Sequence, residues 1–74
     1  MKIEDLEKYL SRKDVSLKVR IQTLVQSGLP PNLFVSFGET LLGEVSSEEQ
    51  NSCKKEISYL NCLMVVRQRL FGLN

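Results

Sequence analysis

Apolar residues in the first third of the chain recur at intervals of three and four. Only Lys13 interrupts the series, which consists of Ile3, Leu6, Leu10, Leu17, Ile21, Leu24 and Val25. This spacing places an apolar stripe along one side of an α-helix and predicts a helix over residues 2–27. A break near Ser11 to Asp14 would give two helices in line instead, with Asp14 as the N-cap of the second.

The stretch from Val15 to Ile21 also fits a half-buried β-strand, because apolar and polar residues alternate strictly along it. We favour the helix, since the flanking stretches continue in helical phase and no second stretch alternates as cleanly to pair with this one. Gly28 suits the left-handed conformation that ends a helix, and Pro30 and Pro31 cannot continue one. A small α+β fold is the alternative to an all-α one.

The clearest helical pattern occupies residues 46–71. A capping box can open it, formed either by Ser46 with Glu49 or by Ser47 with Gln50. At about 100° per residue, the apolar side chains form two adjacent stripes that together cover about half of the helix circumference. The first stripe is Cys53, Ile57, Leu60, Met64 and Phe71, and the second is Tyr59, Leu63, Val66 and Leu70.

The middle segment, residues 29–45, is too apolar to be a simple linker. Its large apolar side chains include Leu33, Phe34, Val35, Phe37, Leu41 and Leu42, and burial of each stabilises a fold by about 1.5 to 3 kcal/mol. Pro31 or Asn32 can open a short helix over about residues 31–42. Leu33, Phe37 and Leu41 would share one face of it, although Gly38 in its interior costs about 1 kcal/mol relative to Ala.

These patterns predict an all-α fold in a single domain, residues 1–74. Its architecture is an antiparallel helical hairpin, with helix 2–27 packed against helix 46–71 and a short middle helix between them. A chain of 74 residues has room for only a thin core. Small domains of this size often rely on a disulfide, a metal or association with another chain.

Composition argues against a metal and against a disulfide. The chain has no His, and its two cysteines, Cys53 and Cys62, are nine positions apart without a CxxC motif. On one continuous helix their Cα atoms would lie about 13 Å apart, which a disulfide cannot span. The formal charge is +1, from 10 basic and 9 acidic residues, and creates no strong field for nucleic acid or an anionic membrane.

We expect neither enzymatic activity nor a cofactor. The sequence offers no His as a base, no GxSxG motif and no glycine-rich phosphate loop. Cys53, although next to Lys54 and Lys55, is interpreted as a half-buried structural thiol, and Cys62 likewise. The charged N-terminal stretch does not resemble a secretion signal, and no apolar run approaches the roughly 20 residues that span a bilayer. We therefore expect a cytoplasmic protein that is not bound to a membrane.

Basic residues occur in three clusters, which are Arg12 with Lys13, Lys18 with Arg20, and Lys54 with Lys55. We interpret them as solvated sides of amphipathic helices, because acidic residues are interspersed with them. The alternative function is a small DNA-binding or transcription-modulating protein. Its recognition helix would have to be residues 32–42, which contain no Lys or Arg, so we expect no nucleic-acid partner.

The chain begins with a charged helix, IEDLEKYL, and ends with a long helix that starts at SSEEQN and runs through EISYLNCLMVVRQRLFG. This layout resembles the small co-chaperones of bacterial type III secretion systems, over about residues 3–27 and 47–71. The resemblance is one of pattern, without a diagnostic motif. It implies a helical hairpin that pairs with a larger tetratricopeptide-like chaperone. Together they would keep the secretion needle subunit soluble by holding its amphipathic C-terminal helix. The long apolar segment 29–45 replaces the short polar turn of that family.

The resemblance also implies a partner-binding surface on the last helix, next to side chains of the middle segment. The candidate residues are Phe34, Phe37, Leu41, Tyr59, Leu63, Val66 and Leu70. The size of the chain points the same way, because a second apolar stripe that the N-terminal helix cannot cover must meet the middle segment or another chain. A chain without its partner could instead pair with itself as a homodimer.

Overall fold

Five helices follow one another along residues 2–70, the part of the chain that the computed structural model describes. They are α1 (Ile3–Leu10), α2 (Leu17–Val25), α3 (Pro31–Gly43), α4 (Ser47–Ser52) and α5 (Lys54–Leu70). No strand occurs in these residues, so the all-α class is confirmed. The stretch that could have been a strand belongs instead to α2 and to the turn before it.

The predicted helix 2–27 is divided into α1 and α2, as the alternative with a break anticipated. The N-cap of α2 is Ser16, whose hydroxyl oxygen accepts from the backbone N–H of Val19 at 3.4 Å. Asp14, the predicted N-cap, has another role. Its carboxylate accepts hydrogen bonds at 3.0 and 2.5 Å from the guanidinium of Arg12 and is therefore engaged within the turn.

Glycine and proline separate α2 from α3 much as their positions predict. Gly28 has φ of +73°, a left-handed conformation that glycine adopts without strain. It lies two residues beyond Gln26, the C-cap of α2. Pro31 is the first residue of α3, where its missing N–H leaves no helical hydrogen bond unmade.

The predicted helix 46–71 begins as expected but is interrupted. Ser46 and Glu49 form the capping box: the backbone N–H of Glu49 donates to the Ser46 hydroxyl, and the backbone N–H of Ser46 donates to the Glu49 carboxylate. Cys53, with φ of −118° and ψ of 29°, then separates α4 from α5. Helical hydrogen bonding continues across it, since Ile57 N–H donates to the Cys53 carbonyl at 2.9 Å. Phe71 lies outside the described residues.

The most extensive contact of α5 is with α3, which runs antiparallel to it, and α2 makes the next most extensive one; the predicted packing of helix 46–71 against helix 2–27 therefore involves α2, while the main partner is the middle helix. Phe34, near the start of α3, lies under the guanidinium of Arg67, near the end of α5, while Gly38 faces Met64 in the middle of α5. No other pair of helices makes as extensive a contact in the described chain. The middle segment is therefore a central element of the fold.

Side chains from four of the helices meet in one core. Its buried apolar members are Leu6, Leu10, Leu17, Ile21, Leu24, Phe34, Val35, Leu41, Leu60 and Met64. The short helix α4 contributes no buried residue. The inner side of α5 is covered by this core, while its outer side is exposed.

Candidate functional site

The residues predicted to bind a partner do not form a single surface. Phe34 and Leu41 are 0% and 2% exposed, so in this structure they are core residues and cannot reach a partner. The prediction placed them on a surface because it treated the middle segment as an addition to a hairpin. Phe37 is half-buried and lines a small pocket of about 190 Å³ between α1 and α3.

On α5 the predicted surface stripe is partly where it was expected. Tyr59 is 56% exposed and Val66 is 42% exposed. Leu63 is half-buried, because it lies at the inner edge of the stripe and packs against the core. The side chain of Leu70 lies outside the described part of the chain. Of the stripe predicted to pack internally, Leu60 and Met64 are buried.

The outer side of α5 presents a straight row of exposed side chains, which we call the α5 seam. Its members, at alternating intervals of four and three residues, are Lys55, Tyr59, Cys62, Val66 and Arg69. This is the spacing of the contact positions in a coiled coil, which keeps side chains in line along one helix face. Cys62 is exposed, and so the interpretation of it as half-buried is wrong; Cys53 is half-buried as expected.

A shallow groove of about 340 Å³ continues the seam toward α2. It is lined by Ile21, Gln22, Val25, Gln26, Lys55, Glu56 and Tyr59. The salt bridge between Lys18 and Glu56, with 3.9 Å between Nζ and Oε1, connects α2 with α5 next to this groove. Seam and groove share Lys55 and Tyr59 and so form one continuous surface.

Comparison with protein-family models, with curated proteins and with solved structures finds no match to this chain. Among residues 2–70, no helix combines the length and the hydropathy that crossing a membrane requires. In the same residues, no group of three or more His, Cys, Asp or Glu side chains is arranged to hold a metal ion.

Arg20 has a structural role that the sequence interpretation missed. It was assigned to a solvated cluster with Lys18, but it is only 3% exposed. Its guanidinium donates to the backbone carbonyls of Val15 at 3.1 Å and Leu10 at 3.2 Å. A signal was present in the sequence, because Arg20 lies three residues after Leu17 and four before Leu24, within the apolar stripe.

Glu49 joins Arg20 to the start of α4. Its Oε2 atom lies 3.5 Å from Arg20 Nη2, while its Oε1 atom accepts the capping hydrogen bond from the backbone of Ser46. The pKa of Glu49 is lowered from its ordinary value, chiefly by that backbone hydrogen bond; burial acts in the opposite direction, and the positive charges of Arg20 and Lys13 add to the lowering. A single carboxylate thus caps α4 and balances a buried cation.

Proposed function

We propose that this chain is a non-enzymatic, cytoplasmic protein-binding module that holds a partner helix against the α5 seam and the adjoining groove. The main support is the contrast between the two sides of α5. Leu60 and Met64 are covered by the chain's own core, while Tyr59 and Val66 remain exposed in line with each other. Single exposed apolar residues are ordinary on a protein surface, but an aligned row beside a groove offers a partner helix a continuous contact.

The more specific proposal is a co-chaperone of a type III secretion system. In that role the seam would contact a larger tetratricopeptide-like chaperone, and the pair would keep a needle subunit soluble before export. This part of the proposal rests on the sequence resemblance of residues 3–27 and 47–71. In place of the hairpin that the resemblance implies, the fold pairs α3 with α5, so the middle segment supports the binding surface from within.

The DNA-binding alternative has less support. Its recognition helix would be α3, whose Phe34, Val35 and Leu41 are buried in the core and which carries no Lys or Arg. Recognition helices need side chains that reach base edges and phosphates. The protein-binding proposal uses side chains that are exposed.

The test compares one double variant of the seam with a control variant on another exposed surface. Tyr59→Glu combined with Val66→Glu should abolish co-purification of a tagged, co-expressed tetratricopeptide-like secretion chaperone, because both charges would be buried against the partner. Val19→Glu is the control. The side chain of Val19, on α2, is 41% exposed, nearly the same fraction as that of Val66, and it does not line the groove. It should leave the complex intact.

Circular dichroism should show the same helical content in the wild type, the double variant and the control, because the replaced side chains are exposed. A complex that survives the double substitution would exclude the seam as the binding surface. Loss of the complex in the Val19→Glu control as well would show that the effect is not specific to the seam.

A further inference from the structure

The charges of the described chain are unevenly distributed around the seam. The two helices that border the groove, α2 and α5, carry Lys18, Arg20, Lys54, Lys55, Arg67 and Arg69 but only one acidic residue, Glu56. Most acidic residues lie instead on α1, α3 and α4 and in the turns. Helices α2 and α5 are therefore basic, although the chain as a whole has a formal charge of only +1.

Three of these basic residues are already occupied by neighbours within the chain. Arg20 is buried and pairs with Glu49, and Lys18 pairs with Glu56. Arg67 lies over the ring of Phe34, with its guanidinium carbon 3.9 Å from the ring centroid, a favourable cation–π geometry. Arg20 and Arg67 are therefore engaged within the fold, whereas Lys18 is mostly exposed and has Glu56 as a long-range partner at 3.9 Å.

Lys55 and Arg69 are different, because both are exposed and, like Lys54, which is not a member of the seam, neither forms a salt bridge with another residue of the 2–70 range. They stand at the two ends of the α5 seam, fourteen residues apart, which corresponds to about 21 Å along a helix. The positions between them are Tyr59, Cys62 and Val66. The seam thus has an apolar centre and a free cation at each end.

We propose that the occupant of the seam is an acidic amphipathic helix of another protein, with an apolar stripe and a carboxylate near each end of the contact. This inference rests on the proposed function and names the chemical class of its partner. Charge complementarity at both ends fixes the register of such a helix and favours its encounter. A second copy of this chain fits poorly, since two seams would bring Lys55 against Arg69 when antiparallel and each cation against its own kind when parallel.

The test uses the full chain and three labelled synthetic helical peptides of about 20 residues. All three carry the same heptad-spaced Leu and Ile stripe, and they differ only in having Glu, Gln or Lys at the two flanking ends. Fluorescence anisotropy should show the Glu peptide binding about three- to tenfold more tightly than the Gln peptide, and the Lys peptide most weakly. The difference should shrink as salt rises from about 0.05 to 0.5 M.

Matched variants locate the effect. Lys55→Glu combined with Arg69→Glu should reverse the order of the three peptide affinities, so that the Lys peptide binds most tightly. Lys2→Glu combined with Lys8→Glu makes the same change in net charge at exposed positions beside and within α1 and should preserve the order. A preference that persists in the seam variant, or equal binding of all three peptides, would overturn the inference while leaving apolar docking intact.

Other outcomes separate the inference from the proposed function. If Tyr59→Glu combined with Val66→Glu weakens the binding of all three peptides alike, the seam is a docking surface whatever its charge preference. Failure of every peptide to bind would count against both proposals. The chain could instead bind vesicles containing phosphatidylserine, or duplex DNA, more tightly than the Glu peptide at the same salt concentration. That result would identify the vesicle or the DNA, and not an acidic helix, as the ligand class.

Discussion

Gly38 shows how one missing side chain shapes the packing of α3 against α5. A Cβ atom at this position would lie 2.7 Å from the Met64 sulfur, closer than Cβ atoms approach other atoms, and 3.2 Å from Met64 Cε, which is tight, so the end of the Met64 side chain would have to shift. Gly38 itself is buried within α3. Glycine lowers helix propensity here by about 1 kcal/mol relative to Ala, but it allows α3 and α5 to come into close contact.

Replacing Gly38 by Leu should lower the free energy of unfolding by about 2 kcal/mol, because overpacking a filled contact outweighs the gain in helix propensity. Gly43→Leu is the matched control. Apart from its chain neighbours and the nearby backbone of its own helix, no atom lies within 4 Å of the position that its Cβ would take, so its stability should not fall and should rise by up to about 1 kcal/mol through helix propensity. Urea unfolding followed by far-UV circular dichroism measures both, and equal effects would contradict the role given to Met64.

At the scale of the helices, Arg20 links three elements that have few other polar contacts. Its side chain binds the last carbonyl of α1, a carbonyl of the following turn and the carboxylate of Glu49 in α4. Helix α4 has six residues and no buried side chain, so packing alone holds it weakly. Its attachments are the helical hydrogen bonds that continue through Cys53 into α5 and the pair of Glu49 with Arg20.

Arg20→Met should therefore lower the free energy of unfolding by about 2 to 3 kcal/mol, since it leaves carbonyls of Leu10 and Val15 without a donor. Lys18→Met is the comparison, because the Lys18 side chain is mostly exposed and its salt bridge with Glu56 is long. Exposed pairs contribute about 0 to 1 kcal/mol. Thermal and urea unfolding of the two variants should rank Arg20→Met well below Lys18→Met, and similar losses would refute a special role for Arg20.

The sequence predicted those helix features that depend on neighbouring residues. Ser46 with Glu49, Pro31 and Gly28 act within a few positions of the chain, and the structure has each of them near the predicted place. The pairing of α3 with α5 was not predictable in this way, because the close approach at Gly38 depends on Met64, which is distant in sequence. Tertiary packing decides such contacts more than local propensity does.

The binding surface was predicted only in part for a related reason. The second apolar stripe was traced through Leu63, whereas the exposed row runs through Cys62. A helical projection gives the order of side chains around the axis but does not say which sector the other helices cover. That sector became visible only once α2 and α3 were placed beside α5.

For the molecule as a whole, small size makes each polar link important. Stability of roughly 0.05 to 0.15 kcal/mol per residue gives a chain of this length about 4 to 11 kcal/mol in total. The core joins α1, α2, α3 and α5, while Glu49 carries the polar connection of α4 to the rest. Conditions that protonate Glu49 should therefore affect the stability of the whole fold.

Folding stability should decrease in acid, with Glu49 as a main contributor. Because the pKa of Glu49 is lower in the folded chain than its ordinary value near 4.5, the unfolded chain takes up the proton first as pH falls. The stabilisation is complete above about pH 5 and is lost as pH falls through the folded pKa. Glu49→Gln keeps a capping group but should flatten this decline in urea unfolding measured between pH 7 and pH 3. Glu48 is an exposed neighbour on α4, and Glu48→Gln should retain the wild-type decline in stability with falling pH. If Glu49→Gln also shows the wild-type decline, the acid sensitivity belongs to other residues.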